Sequence, residues 1–381
     1  MAQRWLIAVL LALLPVVALS AWMASADHPG APPDGNYSPA ASHAWHLHGP
    51  DAQSLRLDAL RRATVRLADP DRASVPPITL GQADALAGPL PTCRFLQEPI
   101  SGTTSKFRCV FDGGDVVKVK YGRNAEIHAE AAATRLLAAL GFPSDFVAII
   151  PRLRCFGCPR LPFESLFLLS LLPSRIVLAA APRPDGYTDF DWVAVERKFP
   201  APAIETADVE GWSWWELKNS EAPRADLDAL RLLAAFLAHW DNKSSNQRLV
   251  CLDRQPTPGD TPCRRPLAMI QDLGATFGPY KVNVSGWRDA PMFADAPRCV
   301  LSMHALPFGG ATFPDVRISE AGRLQLLRQL SSLTDDDLHR LFTDARFPQF
   351  YSGTDDGRDL AAWTAAFRAR VDRIRTAGPC A

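Results

Sequence analysis

The chain has 381 residues, 47% of them hydrophobic, which is enough to fill one two-lobed unit or two ordinary domain cores. Lys plus Arg and Asp plus Glu each number 41, so the formal charge is zero. That balance lacks the basic excess on which nucleic-acid binding depends, and no nucleic-acid partner is expected.

Residues 1–26 read as a signal peptide. Arg4 supplies the charged start, Leu6 to Leu19 the apolar stretch, and Ala24-Ser25-Ala26 a small-residue cleavage site. The expected product is exported, periplasmic or secreted, and membrane contact arises only if the segment stays uncleaved. Trp22 and Met23 then lengthen it toward the roughly 20 residues that span a bilayer. Export gives meaning to Cys93, Cys109, Cys155, Cys158, Cys251, Cys263, Cys299 and Cys380, whose even number in an oxidising compartment favours disulfides. Cys155-Phe156-Gly157-Cys158 has the spacing of a zinc half-site or a redox pair, but no second such pair accompanies it.

Residues 27–90 are expected to form a flexible leader and a helical appendage. The stretch to residue 50 is rich in Pro, Gly, Ala and Ser, and its His43, His46 and His48 are read as solvated. Leu55 to Leu67 carries apolar residues at helical spacing, and a Pro-rich stretch follows at Asp69 to Pro77. Residues 91–215 are expected to be a β-rich N-lobe and hinge. Phe107 to Val110 and Val116 to Tyr121 have strand character, and Asp112-Gly113-Gly114-Asp115 between them signals a hairpin turn. Glu126 to Leu140 predicts the one main helix of this part, with Gly141 as its stop. Val147 to Ile150 and Trp192 to Val195 are further strands. Arg197 and Lys198 read as a solvated strand end, and Trp212, Trp214 and Trp215 as core packing. Residues 216–381 are expected to be mostly helical, with helices over Ala225 to His239, Arg323 to Leu333, Asp335 to Phe342 and Leu360 to Ala377. Arg248 to Leu252 and Leu267 to Ile270 predict a strand pair within them, and Thr334 a helix cap.

The chemistry concentrates in two places. His239-Trp240-Asp241-Asn242-Lys243-Ser244-Ser245-Asn246 follows a buried helix and precedes a strand. Ile270-Gln271-Asp272-Leu273-Gly274 places a carboxylate at a strand end with a glycine to free the turn. Phosphoryl transfer needs a carboxylate to orient the attacking hydroxyl and hard oxygen ligands for the metal that neutralises phosphate charge. Asp241 fits the first role and Asn246 the second, and Lys243 supplies a cation for the transferring group. Upstream, Ser101-Gly102-Thr103-Thr104-Ser105 can form a turn of backbone amides and hydroxyls that cradles phosphates. Lys118 and Lys120 lie two apart on one strand and face the same side, so spacing cannot choose between them.

These stretches resemble the protein-kinase fold. The first resembles its H-R-D-x-K-x-x-N catalytic loop, the second its D-F-G metal motif with Leu for Phe, which implies Asp272 as the main magnesium ligand. Ser101 to Lys106 is similar to the S-G-x-x-x-K loop of HipA-type bacterial kinases. The resemblance covers about residues 93–280 and is nearest the HipA-type and phosphatidylinositol-kinase-like branch, with exported relatives among the secretory-pathway kinases. It implies an α+β, two-lobed, protein-kinase-like fold that uses Mg2+ or Mn2+. ATP or another nucleotide is the implied donor and a protein or carbohydrate hydroxyl the acceptor. It also implies a strand lysine, Lys118 by its Val-Val-Lys-Val setting or else Lys120, held by a helix glutamate. Glu130 matches that position, with Glu126 one turn earlier. Trp240 stands where kinases regulated by loop phosphorylation carry arginine, and no A-P-E follows Asp272, so such control is not expected. Cys251 and Cys263 fall in a lengthened segment between Asn246 and Asp272, where a disulfide could tie off the hairpin. The alternative reading is a catalytically silent pseudokinase acting as a binding or scaffold module. The presence of every catalytic carboxylate and of the lysine favours activity.

Overall fold

The computed structural model describes residues 45–47, 49–67, 90–98, 100, 102–171, 186–253, 263–279, 282–307, 309–350 and 356–380. The signal-peptide segment and Ser101 lie outside the described residues. The fold is α+β, strand-rich toward the N-terminus and mostly helical beyond. Two compact units compose it: one within Gly88–Gly122 and Pro151–Val193, the other within Ala40–Ala87, Arg123–Ile150 and Ala194–Ala381.

The smaller unit is built on a closed barrel in the order β2-β3-β4-β6-β5, from β2 (Thr92–Leu96), β3 (Lys106–Phe111), β4 (Val116–Lys120), β5 (Phe146–Phe156) and β6 (Tyr187–Arg197). The unit boundaries fall within β5 and β6. The Asp112–Asp115 turn joins β3 to β4 with Gly113 and Gly114 at φ +94° and +89°, a conformation open to glycine at little cost. Alternation then turns Phe107, Cys109, Val117 and Val119 inward, all of them buried. Cys93 and Cys109 form a disulfide across β2 and β3. Phe107, Tyr121 and Phe190 pack ring against ring, with centroids 5.0–5.8 Å apart. The apolar run after Phe163 begins as a helix, α3 (Pro162–Leu171), which periodicity had not marked. Cys155 and Cys158 remain buried thiols. Burial, reinforced by a hydrogen bond between the two, pushes the Cys158 thiol far above its usual range.

In the larger unit β1 (Trp45–Leu47) pairs parallel with β7 (Ile204–Thr206), so the expected leader ends in an ordered strand. The helix after it, α1 (Ala52–Arg62), groups with the same unit. Its Arg56 is fully buried and pairs with both oxygens of Glu216, at 3.0 and 3.1 Å, and with the Gly211 carbonyl at 2.6 Å. The predicted helix of the N-terminal lobe, α2 (Ala125–Ala139), also groups with this unit. The reason is chemical: α2 is buried almost all round. Its His128 ring bonds the Ala345 carbonyl at 2.7 Å and its Arg135 pairs with Asp344 at 3.0 Å.

The helical body comprises α4 (Arg224–Leu237), α5 (Val284–Asp289), α6 (Glu320–Ser331), α7 (Asp335–Asp344), α8 (Phe347–Phe350) and α9 (Leu360–Thr376). The cap predicted at Thr334 is present as a full capping box with Asp337. Phe236, Phe277, Trp287, Phe342, Trp363 and Phe367 interlock at ring distances of 4.9–6.5 Å. Arg370 is buried among them and donates to the carbonyls of Ala235, Phe236, Trp287 and Ala290. Burial lowers its pKa to about 9, which leaves it charged at neutral pH. Trp212 and Trp214 are core residues as expected, whereas Trp215 is exposed.

The strand pair β8 (Gln247–Cys251) and β9 (Pro266–Ile270) is antiparallel, with Gln247 opposite Ile270. The Cys251–Cys263 disulfide ties its far end, and Cys299–Cys380 ties the C-terminus to β11 (Val300–Leu301), the middle strand of a small sheet with β10 (Phe293–Asp295) and β12 (Val316–Arg317). Among the described residues no helix is long and apolar enough to cross a membrane.

Candidate active site

The register of β8 and β9 is what assembles the site. Asn246 directly precedes β8 and Asp272 follows β9 by one residue, so pairing Gln247 with Ile270 brings both to the same end of the hairpin. The Asn246 carbonyl accepts two hydrogen bonds, from the amides of Gln271 at 3.0 Å and Asp272 at 3.3 Å. Asp241 joins them because the Asn246 side-chain nitrogen donates to its carbonyl at 2.6 Å. The helix α4 ends at Ala238 in a left-handed residue, φ +54°, which turns the chain out into this loop. The Trp240 amide then bonds Ala275 O at 3.3 Å, and the Phe277 amide bonds Leu237 O at 2.9 Å. The loop and the Asp-Leu-Gly turn are thus stitched along their length, and the structure brings Asp241, Asn246 and Asp272 together within one unit.

Three more contacts fix the loop from below. Asn242 is fully buried, donates to His239 O at 3.0 Å and accepts from the amides of Thr312 and Phe313 at 2.8 and 3.0 Å. The Ser213 and Ser244 hydroxyls meet at 2.6 Å. Gly211, at φ +64°, passes so close that an added Cβ would fall 2.2 Å from the carbonyl oxygens of both Ser244 and Gln247. Only a residue without a side chain fits there.

The polar atoms suit the expected chemistry. Lys243 Nζ holds one Asp241 oxygen, Oδ2, at 3.1 Å. The other oxygen, Oδ1, is buried with no hydrogen-bond partner among the described residues, a costly state for a carboxylate that leaves it able to accept a hydroxyl proton or a cation. Asn246 spends its amide nitrogen on the Asp241 carbonyl, so its oxygen is the atom left for a ligand. Asp272 caps its own turn through Oδ1, which accepts from the Gly274 amide at 3.2 Å. Hard oxygen donors of this kind fit Mg2+ or Mn2+. His239 is fully buried. Burial lowers its pKa to about 4 against the opposing pull of the Asp272 and Asp241 charges, so its imidazole is neutral at physiological pH.

Of the two helix glutamates, Glu126 lies against the Asp-Leu-Gly turn: a Cβ placed on Gly274 would sit 3.0 Å from Glu126 Cβ and 3.4 Å from Asp272 Oδ1. Glu130, one turn on, is buried. In the smaller unit Lys120 is buried at 2% exposure and Lys118 is half-buried, a difference that spacing alone could not give. Of the candidate phosphate loop, Gly102 and Thr103 are exposed, Thr104 is buried and Ser105 is half-buried. Gly102 has φ +96°, and the Lys106 amine folds over it so closely that an added Cβ would come within 2.8 Å of Nζ. Ser105 Oγ points to Glu164 at 3.5 Å, and Tyr121 Oη donates to the same carboxylate at 3.0 Å.

Sequence reasoning missed Lys198. Its side chain is partly exposed, but its ammonium reaches Asp145 at 2.7 Å, Glu196 at 3.1 Å and the Gln271 side-chain oxygen at 3.2 Å. Burial opposes its charge, but the two buried carboxylates prevail and raise its pKa. The signal was the sequence Glu196-Arg197-Lys198 beside an apolar strand, which reads equally as a solvated charge run.

No family model matches the sequence, and no curated protein matches it. Among solved structures the fold is similar to a Helicobacter pylori proinflammatory kinase, CtkA, at 11% identity over 76% of this chain and 98% of that one, with a TM-score of 0.41. It is also similar to the Golgi casein kinase with Mn/ADP bound, at 12% identity over 92% of this chain and 91% of that one, with a TM-score of 0.34.

Proposed function

We propose that the chain is a divalent-metal-dependent phosphotransferase, exported from the cell, that moves a nucleotide phosphoryl group to a protein or carbohydrate hydroxyl. The observation that carries this reading is the joint placement of Asp241, Asn246 and Asp272 around one hairpin end, with a buried Asp241 oxygen that has no hydrogen-bond partner among the described residues. Asp241 orients the acceptor hydroxyl and receives its proton. Lys243, paired with Asp241, is poised to contact the transferring phosphoryl group. Asn246 and Asp272 hold the metal, which when bound neutralises phosphate charge. In the smaller unit the loop Ser101 to Ser105 is the proposed phosphate cradle, with Lys118 or Lys120 as the nucleotide lysine. Glu130, with Glu126 as its neighbour on α2, remains the proposed glutamate for nucleotide binding. The segment 1–26 and the three disulfides support export into an oxidising compartment.

A panel of nucleotides with Mg2+ and Mn2+, read by thermal shift, tests the reading. Wild type is stabilised by at least one metal–nucleotide pair and Asp272→Ala by none; no stabilisation of wild type by any pair refutes it. Stabilisation without transfer to any hydroxyl acceptor is the outcome the scaffold alternative expects.

A further inference from the structure

The residue between strand β9 and Asp272 has no part in the reading above, yet its side chain is held at both ends. Gln271 Nε2 donates to the Ser245 carbonyl at 2.9 Å, and Gln271 Oε1 accepts from Lys198 Nζ at 3.2 Å. Its own amide and that of Asp272 converge on the Asn246 carbonyl. One side chain therefore braces the short turn Ser244–Asn246 against the start of the Asp-Leu-Gly turn.

Lys198 is in turn immobilised. Asp145, fully buried, takes the ammonium on Oδ2 and the Phe199 amide on Oδ1 at 2.9 Å. Arg248 stands 3.8 Å from Asp145 and donates to the carbonyls of Phe199 and Ala201. Asp145, Glu196, Lys198 and Arg248 thus knit the chain before β5, the end of β6 and strand β8 into one charged cluster. Asp145 and Glu196 are fully buried while the Lys198 side chain stays 36% exposed, and burying two carboxylates is a poor route to stability, because desolvation cancels most of the attraction. A cluster whose outward contact is Gln271 is better accounted for by what it positions.

We infer, resting on the proposed phosphotransferase reading, that Gln271 held by Lys198 is a positioning residue that sets Asn246 relative to Asp272 as ligands of one metal ion. Side chains that orient metal ligands without touching the metal change affinity by about 10- to 100-fold when removed. Gln271 acts through the turn that carries Asn246, and the test must therefore read metal binding directly.

The experiment is Mn2+ binding to the full chain in the presence of ADP, followed by electron paramagnetic resonance of the free ion, for wild type, Gln271→Ala, Gln271→Glu and Asp272→Ala. Gln271→Ala is expected to melt near wild type and to bind Mn2+ about 10- to 100-fold more weakly. Gln271→Glu keeps the acceptor for Lys198 and loses the donor to Ser245, so it is expected to fall with Gln271→Ala. Lys198→Met strips a cation from two buried carboxylates and can fail to fold, which is why the inference rests on Gln271. Unchanged Mn2+ affinity in Gln271→Ala, while Asp272→Ala loses the ion, overturns the positioning role and leaves the phosphotransferase reading standing. Unchanged affinity in Asp272→Ala overturns both.

Discussion

Gly211 offers a way to disturb the loop that carries Asp241 and Asn246 through its backbone support alone. Its φ of +64° costs alanine about 1–2 kcal/mol in any setting. The new Cβ would also meet two carbonyl oxygens at 2.2 Å, those of Ser244 and Gln247 on either side of Asn246, and neither can move without shifting the loop. Arg56 blocks retreat in the other direction, since its guanidinium binds the Gly211 carbonyl and is itself locked to Glu216. Overpacking of this kind costs a further 1–3 kcal/mol or so, giving about 2–5 kcal/mol in total. Gly49→Ala is the control. It has φ +90° and nothing within 4 Å, so it bears only the conformational cost. At roughly 2–4 °C per kcal/mol for a unit of this size, Gly211→Ala is expected to melt several degrees below Gly49→Ala. It should also bind Mn2+ more weakly, because Asn246 moves with its neighbours. Equal melting temperatures for the two variants would refute the close approach on which the reasoning depends.

Two histidines predict a loss of stability in mild acid. Burial holds His128 and His239 at about 4, against an ordinary 6.5, so both are neutral in the folded chain while the unfolded chain binds protons between those values. Stability therefore rises with pH from about 4 to 6.5, by up to about 3 kcal/mol per histidine, and His128→Gln should flatten the denaturation midpoint across that window. An unchanged slope in that variant removes His128 from the account. The cysteines predict a labelling pattern: without reductant a thiol reagent should modify two cysteines per chain after denaturation and almost none before, because Cys155 and Cys158 are the thiols and both are buried. Reduction should in addition destabilise the larger unit by a few kcal/mol, since Cys299–Cys380 closes a span of 81 residues.

Much of the local geometry around the candidate site was legible because its signals are local. The Asp112–Asp115 turn forces β3 and β4 together, and the spacing from Asp241 to Asn246 is fixed by one short loop. What the sequence could not supply was long-range. Lys198 looks like any charge at a strand end until Asp145 and Gln271 are folded onto it. Gly211 and Thr312 carry no motif, and their importance comes from approaching the loop from 30 residues or more away in sequence. The setting of α1 was hidden for a related reason: Arg56 reads as a solvated charge on a polar helix face, yet Glu216, 160 residues on, makes its burial possible. Lys118 and Lys120 are equivalent by strand period, and only the fold distinguishes a half-buried side chain from a buried one.

The central claim is that Asp272 binds the metal–nucleotide while Asp241 handles the acceptor hydroxyl. Single-turnover transfer from a radiolabelled nucleotide, measured together with nucleotide binding, tests it most directly. Asp241→Ala should bind metal–nucleotide like wild type and lose transfer by a factor of about 100 or more, whereas Asp272→Ala should lose binding itself. Transfer at the wild-type rate in Asp241→Ala, or undiminished binding in Asp272→Ala, would contradict the assignment.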